Sequence, residues 1–323
     1  MNKLKCVMLI ELLIIMLLLG YIYSNHASSP TFDRHSYCSK YYGKVPCLLS
    51  PRLYVGLLPP QSNLILNFKP LQTDVQNYVT VNNLNISMYV LNIKDGASFS
   101  INATRGYEPA SLNKLPVAIV ILKKVEEGKL SLDSKLQIKD YHRNDQSGTL
   151  YSSPITEMRV RDLLSSMLAE SDNTAFRVLS EQVTFEDLQN VSSYLDYYTK
   201  DISSNSSNIY QITPKSTGNL FMSLYLSTYL KPEDSELILS DLVNNSLDIK
   251  KYANLPEGVT VSHKYGAYYL NNQSFFHDCG IMYIEESRIF YCIMTQGLDE
   301  KSKAPEVIGT IVNKIYKYVL KEP

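Results

Sequence analysis

The 323-residue chain contains no tryptophan, only five cysteines and five histidines, and no excess of charge of either sign. Its 31 Lys and Arg residues nearly balance its 32 Asp and Glu residues, which leaves a formal net charge of −1. We therefore expect no nucleic acid partner, because the phosphate backbone attracts proteins with a strong basic excess. The histidines and cysteines lack the spacing of metal ligands, so neither a metal nor another cofactor is predicted.

One long apolar run stands at the N-terminus, over residues 6–23, and two lysines precede it. About 18 residues approach the length that spans a bilayer, and the lysines favour keeping the first residues in the cytoplasm. A cleaved signal peptide is the alternative. The interpretation is a short cytoplasmic tail (1–5), a transmembrane signal-anchor (6–23), an extracytoplasmic stalk (24–64) and a folded domain (65–323) outside the cytoplasm.

Four cysteines follow the apolar run, and an even number permits disulfides in an oxidising compartment. Cys38 and Cys47 flank a short loop that a disulfide would close. Cys279 and Cys292 lie on two predicted strands. A turn near residues 285–288 places them diagonally, close but not directly opposite. The sequence leaves both pairings open.

Helical and strand periodicities alternate along residues 65–323. A helical pattern at 68–81 and a hairpin near 85–102 come first, and strands and a final helix at 305–320 come last. The stretch of about 129–230 between them is helical. This order predicts an α/β fold of the α+β type. A central antiparallel sheet of about five strands, built from both ends of the chain and flanked by terminal helices, lies beside an all-helical lobe.

A serine and a lysine three residues apart, Ser111 and Lys114, open an apolar run with no helix breaker after Pro116. The run predicts a mostly buried helix. Residues i and i+3 share one helix face, so the hydroxyl and the amine should lie side by side at the positive end of the helix dipole. Burial and a cationic neighbour lower a lysine pKa, and a neutral lysine can take the serine proton to create a nucleophile.

Two further patterns occur in structural contexts that suit the first. Ser171-Asp172-Asn173 follows a helix of the predicted lobe, and Lys264-x-Gly266 lies on a predicted strand. With these three motifs in this order, the sequence resembles the class A β-lactamases and the penicillin-binding serine D,D-peptidase superfamily. The resemblance covers about residues 65–323 and extends to shorter stretches at 212–214 and 295–297.

The resemblance implies a role for each motif residue. Ser111 is the expected acylated nucleophile, Lys114 its base or proton relay, and Ser171, helped by Lys264, the group that passes a proton to the leaving nitrogen. Asp172 is expected to hold its own loop in shape.

The resemblance also implies a set of substrate-binding residues. The backbone N–H groups of Ser111 and Ala267 are expected to form an oxyanion hole. The expected substrate-binding residues are Asn173, Tyr265, Gly266 and Ala267.

The sequence departs from the family pattern in two places. Tyr265 stands where the family usually has a small hydroxyl residue that helps bind the substrate carboxylate, and no arginine precedes Gly280 to compensate. The deacylating glutamate of class A enzymes is also absent from its usual loop, where Thr199 takes its place. Asp201 is a poor substitute, because it is shorter and lies two residues away. Without a base, an acyl-enzyme would form and persist.

These observations predict a membrane-anchored, extracytoplasmic serine hydrolase of the β-lactamase-like fold. A β-lactam or a related amide would acylate it at Ser111, and the sequence leaves open whether the acyl-enzyme is then hydrolysed. The alternatives are a peptidoglycan D,D-carboxypeptidase or transpeptidase-like enzyme, and a catalytically weak module that binds cell-wall fragments or a protein. The expected partners are a small-molecule or peptidoglycan-type substrate and, through the anchor, the membrane. The oligomeric state is not predicted.

Overall fold

The computed structural model describes residues 66–143, 147–200, 210–298 and 303–321. The strands are β1 (Asn85–Asn92), β2 (Ser98–Ile101), β3 (Lys135–Gln137), β4 (Glu157–Arg159), β5 (Thr199–Lys200), β6 (Tyr210–Gln211), β7 (Thr260–Leu270), β8 (Gln273–Ile284) and β9 (Ser287–Gln296). The helices are α1 (Lys69–Val81), α2 (Lys114–Glu126), α3 (Val160–Ala169), α4 (Asn173–Ser180), α5 (Phe185–Leu195), α6 (Pro214–Leu226), α7 (Pro232–Val243), α8 (Ile249–Tyr252) and α9 (Ala304–Lys321).

Some of the predictions concern residues outside these ranges. They are the anchor at 6–23, the stalk at 24–64, the Cys38–Cys47 pairing and the contribution of Asp201. Within the described ranges, no helix combines the length and the apolar character that crossing a bilayer requires.

A five-stranded antiparallel sheet in the order β2–β1–β9–β8–β7 forms the centre of the fold. Two of its strands come from early in the described chain and three from late in it, which confirms the predicted sheet built from both ends. Strands β8 and β9 are buried along almost their whole length, so helices must cover both faces of the sheet. Strand β7 lies at an edge, where alternate backbone N–H groups point away from the sheet.

Two hydrophobic clusters pack on the two faces of the sheet. One face packs against α1 and α9, and the other against α2 and the helices of the lobe. Helix α9 is amphipathic, since its buried residues recur at intervals of three and four. These buried residues include Ile308, Ile311, Val312, Ile315 and Val319.

The lobe is not all-helical, which corrects the prediction. Strands β3 and β4 pair within it, with Leu136 opposite Met158, and β5 and β6 form a second short pair. Leu136 and Met158 pack on the core while their strand neighbours are exposed, and such an alternation over three residues is too short to be read from sequence. Because β4 occupies residues 157–159 of the stretch predicted to be helical, α3 begins only at Val160.

Cys279 and Cys292 form a disulfide that joins β8 to β9. They lie directly opposite each other in the strand register, not diagonally as predicted. The difference lies in the turn, which consists of only Glu285 and Glu286 because the residues on either side are already paired. Glu285 has a φ of +44°, in the left-handed region that two-residue hairpin turns require.

Candidate active site

Ser111 lies in a 3₁₀ helix, Ala110–Asn113, that leads directly into α2. Its side chain is half-buried, whereas Lys114, the first residue of α2, is 2% exposed. The chain enters this turn through Ala110 at a φ of +48°, a strained conformation for alanine that the surrounding packing must hold. The hydroxyl therefore sits at the N-terminal end of a buried helix, where the helix dipole stabilises negative charge.

Lys114 joins this turn to the Ser171–Asn173 loop. Its Nζ donates hydrogen bonds to the carbonyl oxygen of Ser171 at 2.5 Å, to Ser171 Oγ at 3.1 Å and to Asn173 Oδ1 at 2.6 Å. The ring of Phe176 lies 5.9 Å from the same nitrogen. Two of the three motifs found in the sequence therefore meet at a single lysine.

Asp172 is fully buried and holds the loop that carries Ser171. One carboxylate oxygen accepts a hydrogen bond from the backbone N–H of Ala175 at 2.9 Å and caps α4. The other accepts one from the backbone N–H of Leu150 at 2.8 Å. With both oxygens committed to the backbone, the loop can keep Ser171 in its left-handed conformation, at a φ of +57°.

Lys264 reaches the same hydroxyl from β7. Its Nζ donates to Ser171 Oγ at 2.9 Å and to the carbonyl oxygen of Tyr265 at 3.0 Å, and the residue is fully buried. Burial and the nearby charge of Lys114 place the pKa of Lys264 well below its usual value, while Asp278 acts in the opposite direction. The amines of two lysines thus contact one serine hydroxyl. Because like charges repel, it is unfavourable for both amines to be protonated at the same time.

Gly266 and Ala267 bring the edge strand against the nucleophile turn. A Cβ at Gly266 would lie 3.0 Å from the backbone nitrogen of Ser111 and 3.2 Å from Ala110 Cβ, so the close approach depends on glycine. Ala267 follows on the same edge strand. Ser111 and Ala267, whose N–H groups are expected to form an oxyanion hole, therefore lie on the two segments that meet at Gly266.

Tyr265 follows Lys264 on β7 and is partly buried. Its ring centroid lies 4.5 Å from Lys264 Nζ and 5.9 Å from the ring of Phe276, on which it stacks. Its Oη lies 3.4 Å from Ser246 Oγ. A phenol therefore occupies the neighbourhood where the family usually has a small hydroxyl.

His277 contacts the nucleophile segment and was not identified from the sequence. It lies on β8 opposite Gly266, and its Nε2 donates to the carbonyl oxygen of Glu108 at 3.2 Å. Burial lowers the pKa of His277 to about 4, so the imidazole is neutral at physiological pH and donates from one nitrogen. A lone histidine on a strand is no signal in sequence, because its contact with Glu108 depends on how two distant segments pack together.

Two tyrosines connect the chain after α5 to the nucleophile turn. Tyr197 is fully buried and donates to the carbonyl oxygen of Leu112 at 3.2 Å, and Tyr198 donates to Asn113 Oδ1. Thr199 follows in β5. These contacts hold the segment after α5 against the nucleophile turn. Over the ranges that the structure describes, no three His, Cys, Asp or Glu side chains come together as metal ligands.

Comparisons with known proteins identify the family and support the fold. Residues 70–319 match the family described as "Beta-lactamase enzyme family". Beta-lactamase VEB-1 of Pseudomonas aeruginosa is 21% identical over 266 residues, which cover 75% of this chain and 87% of that protein. The structure of the TLA-3 extended-spectrum β-lactamase matches with a TM-score of 0.70 at 20% identity and covers 79% of this chain and 100% of that one. A PBP-A mutant, in an acyl-enzyme complex with penicillin G, matches with a TM-score of 0.68 at 21% identity, over 82% of this chain and 100% of that one.

Proposed function

Because the chain belongs to the β-lactamase enzyme family and is a β-lactamase-like serine hydrolase, we propose that a β-lactam or a related amide acylates it at Ser111. The observation that carries this proposal is the shared position of Ser171 Oγ. It lies 3.1 Å from Lys114 Nζ and 2.9 Å from Lys264 Nζ. A hydroxyl between two lysines can accept a proton on one side and release one on the other, as a proton relay requires.

Acylation then proceeds by a balanced proton transfer. Lys114, as a neutral amine, takes the proton of Ser111 while Oγ forms a bond to the carbonyl carbon of the substrate. The N–H groups of Ser111 and Ala267 stabilise the negative oxygen of the tetrahedral intermediate. When the carbon–nitrogen bond breaks, the proton passes from Lys114 through Ser171 Oγ to the leaving nitrogen.

Substrate recognition follows from the charge and shape of the cleft. We expect Asn173 to bind the acyl-amide side chain of the substrate, and the two lysines favour a substrate with a carboxylate. Tyr265 replaces the small hydroxyl that would bind this carboxylate, so we expect weaker binding of compact β-lactams than a class A enzyme achieves. The domain acts outside the cytoplasm, held to the membrane by residues 6–23.

Deacylation is the slow step of the proposed reaction. Thr199 stands where class A enzymes have the glutamate that activates water, and the exposed Asp196 ends α5 in a left-handed conformation, at a φ of +50°. Because the sequence has no glutamate between Glu186 and Glu233, the acyl-enzyme loses its usual route to rapid hydrolysis. The missing glutamate also favours the second candidate function, a peptidoglycan D,D-peptidase. A catalytically weak binding module, the third, has no evident need for all five polar residues of the cleft.

The test is intact-mass spectrometry of the full-length chain, purified in detergent and mixed with penicillin G. We expect a long-lived adduct of one whole penicillin, because ring opening releases no fragment. Ser111→Ala should form none. Ser240→Ala, which removes a half-buried hydroxyl from α7, should react like the wild type. Thr199→Glu should shorten the lifetime of the adduct.

The possible outcomes separate the candidate functions. Hydrolysed drug without a lasting adduct would mean that another group replaces the glutamate and that the protein is a true β-lactamase. Release of D-alanine from a peptide ending in D-Ala-D-Ala would identify a peptidase. If neither an adduct nor hydrolysis occurs with either compound, the acylation proposal is wrong.

A further inference from the structure

The amine of Lys264 is closed to direct contact with a substrate, although its charge acts on the cleft. The residue is 0% exposed, and its Nζ already donates to Ser171 Oγ at 2.9 Å and to the carbonyl oxygen of Tyr265 at 3.0 Å. The ring of Tyr265 lies 4.5 Å from the same nitrogen. A substrate carboxylate that the lysines attract must therefore find its hydrogen-bond donors on other residues.

Ser246, which no sequence motif identifies, is held beside the loop that carries the serine of the proton relay. Its backbone N–H donates to the carbonyl oxygen of Ala169, the last residue of α3, at 2.8 Å. The side-chain amide of Asn245 donates to the carbonyl oxygens of Leu168 at 3.3 Å and His263 at 3.2 Å. These bonds attach segment 245–246 to the end of α3 on one side and to β7 on the other, so they fix the position of Ser246.

The hydroxyls of Ser246 and Tyr265 meet at the exposed rim between α3 and β7. Their oxygens are 3.4 Å apart, which is long for two hydroxyls, since about 2.7–2.8 Å is usual. Little stabilisation is therefore lost when both O–H groups turn to an acceptor from outside. Each hydroxyl can donate to one oxygen of a carboxylate, and hydrogen bonds to a charged group are stronger than those between neutral groups.

The ring of Tyr265 is held in the position from which its hydroxyl reaches Ser246. It stacks on Phe276 with the ring centroids 5.9 Å apart, and it contacts the amine of Lys264. A phenol hydroxyl lies on the far side of the ring from the strand, whereas the small hydroxyl of the family pattern is attached directly to Cβ. The hydroxyl available to a carboxylate is therefore displaced from β7 towards Ser246 by the length of an aromatic ring.

We propose that the hydroxyls of Tyr265 and Ser246 together bind the carboxylate of the substrate and suit a leaving group one residue longer than that of a compact β-lactam. In a penicillin the carboxylate is attached to the carbon next to the ring nitrogen. A second residue before the carboxylate adds about 3.3–3.6 Å of reach, which is comparable to the displacement of the hydroxyl. The expected substrate class is a peptide-like amide with two residues after the bond that Ser111 attacks. This inference rests on the proposed acylation at Ser111 and adds the leaving group to it.

The test is equilibrium binding to Ser111→Ala, measured by isothermal titration calorimetry on the full-length chain in detergent. Three peptide probes share a diacetyl-lysyl-D-alanyl part. They continue with one D-alanine, with two D-alanines, or with two D-alanines and a C-terminal amide. We expect the two-residue acid to bind at least tenfold more tightly than either of the other probes, because it alone places a carboxylate at the rim. Lost hydrogen bonds to a charged group account for a factor of this size.

Two further variants in the same background identify the donors. Tyr265→Phe keeps the ring and its contacts but removes its hydroxyl, and Ser246→Ala removes the other hydroxyl. Each should lower the preference for the two-residue acid over its amide by at least fivefold, while the affinity for the amide changes little. Tyr194→Phe is the matched control, since it also removes an exposed phenol hydroxyl with one hydrogen bond, to the carbonyl oxygen of Thr228 at 3.0 Å. It should leave all three affinities unchanged.

Several outcomes would overturn the inference. They are an unchanged acid preference in Tyr265→Phe and Ser246→Ala, equal affinities for the one-residue and two-residue acids, an equal loss for the acid and the amide, or no binding of any probe. Binding needs no acylation, so the measurement decides the question even if penicillin G forms no adduct and the proposed function is wrong. A penicillin adduct on the wild type without an acid preference at the rim would overturn this inference alone.

Discussion

Replacing Gly266 by alanine should slow acylation while leaving the fold intact. The added Cβ would lie 3.0 Å from the backbone nitrogen of Ser111 and 3.3 Å from the carbonyl oxygen of Pro109, closer than ordinary van der Waals contact. Both atoms belong to the backbone, so no flexible side chain can give way. The edge strand or the nucleophile turn must therefore move back by a few tenths of an ångström.

This movement separates the two N–H donors of the proposed oxyanion hole. Loss of one such donor costs about 10²- to 10³-fold in rate, and a misplacement of about 1 Å costs about 10²-fold. For the smaller displacement expected here, we predict an acylation rate constant reduced between about 10- and 100-fold. Reversible binding of the drug should change little, because the hole acts mainly on the transition state.

The assay is the time course of the penicillin G adduct, followed by intact mass at several drug concentrations to separate binding from acylation. Gly258→Ala is the matched control, since a Cβ there meets no atom within 4 Å and the substitution tests the loss of a glycine alone. Urea unfolding of both variants checks that the protein remains folded. Acylation of Gly266→Ala at the wild-type rate would refute the proposed oxyanion geometry.

Three further predictions concern stability and the nucleophile segment. Asp172→Asn should lower the free energy of unfolding by about 3 kcal/mol in urea titrations, because the buried N–H of Leu150 loses its acceptor; a loss under 0.5 kcal/mol contradicts this. Burial and hydrogen bonding to Glu126 raise the pKa of Asp234 to about 6, so the folded state keeps a proton that the unfolded state releases. The free energy of unfolding of the wild type should therefore fall by about 1 kcal/mol as the pH rises from about 4 to 6, a value that allows for solvent screening. Urea titrations across this pH range should show that Asp234→Asn abolishes the dependence. His277→Phe should slow acylation roughly fivefold, because one hydrogen bond of about 1 kcal/mol is lost. The pH profile of acylation between pH 6 and 8 should not change. A shifted profile would show that the imidazole titrates in that range.

The sequence by itself determined the general fold. Apolar periodicity located α2 and α9, and strand patterns located β1 before the lobe and β7 after it, because each of these elements extends over eight or more residues. The resemblance to serine hydrolases needed only three short motifs in order, and residues 70–319 match the family as a whole. The roles of the individual site residues stay predictions until Ser111 is tested.

The sequence did not predict the short strands β3 and β4. An alternation over only three residues is too weak a signal between segments with helical periodicity. Whether Cys279 lies directly opposite Cys292 depended on whether two or four residues form the turn between β8 and β9. A change of even one residue in the turn alters every pairing of the two strands beyond it.

Only the tertiary structure decided how groups far apart in the chain share one environment. It brought Lys114 and Lys264 to the same oxygen of Ser171, where burial and the charge of Lys114 lower the pKa of Lys264. The charge of a lysine in this cleft depends on desolvation and on neighbours from several elements, which a linear pattern of residues does not contain.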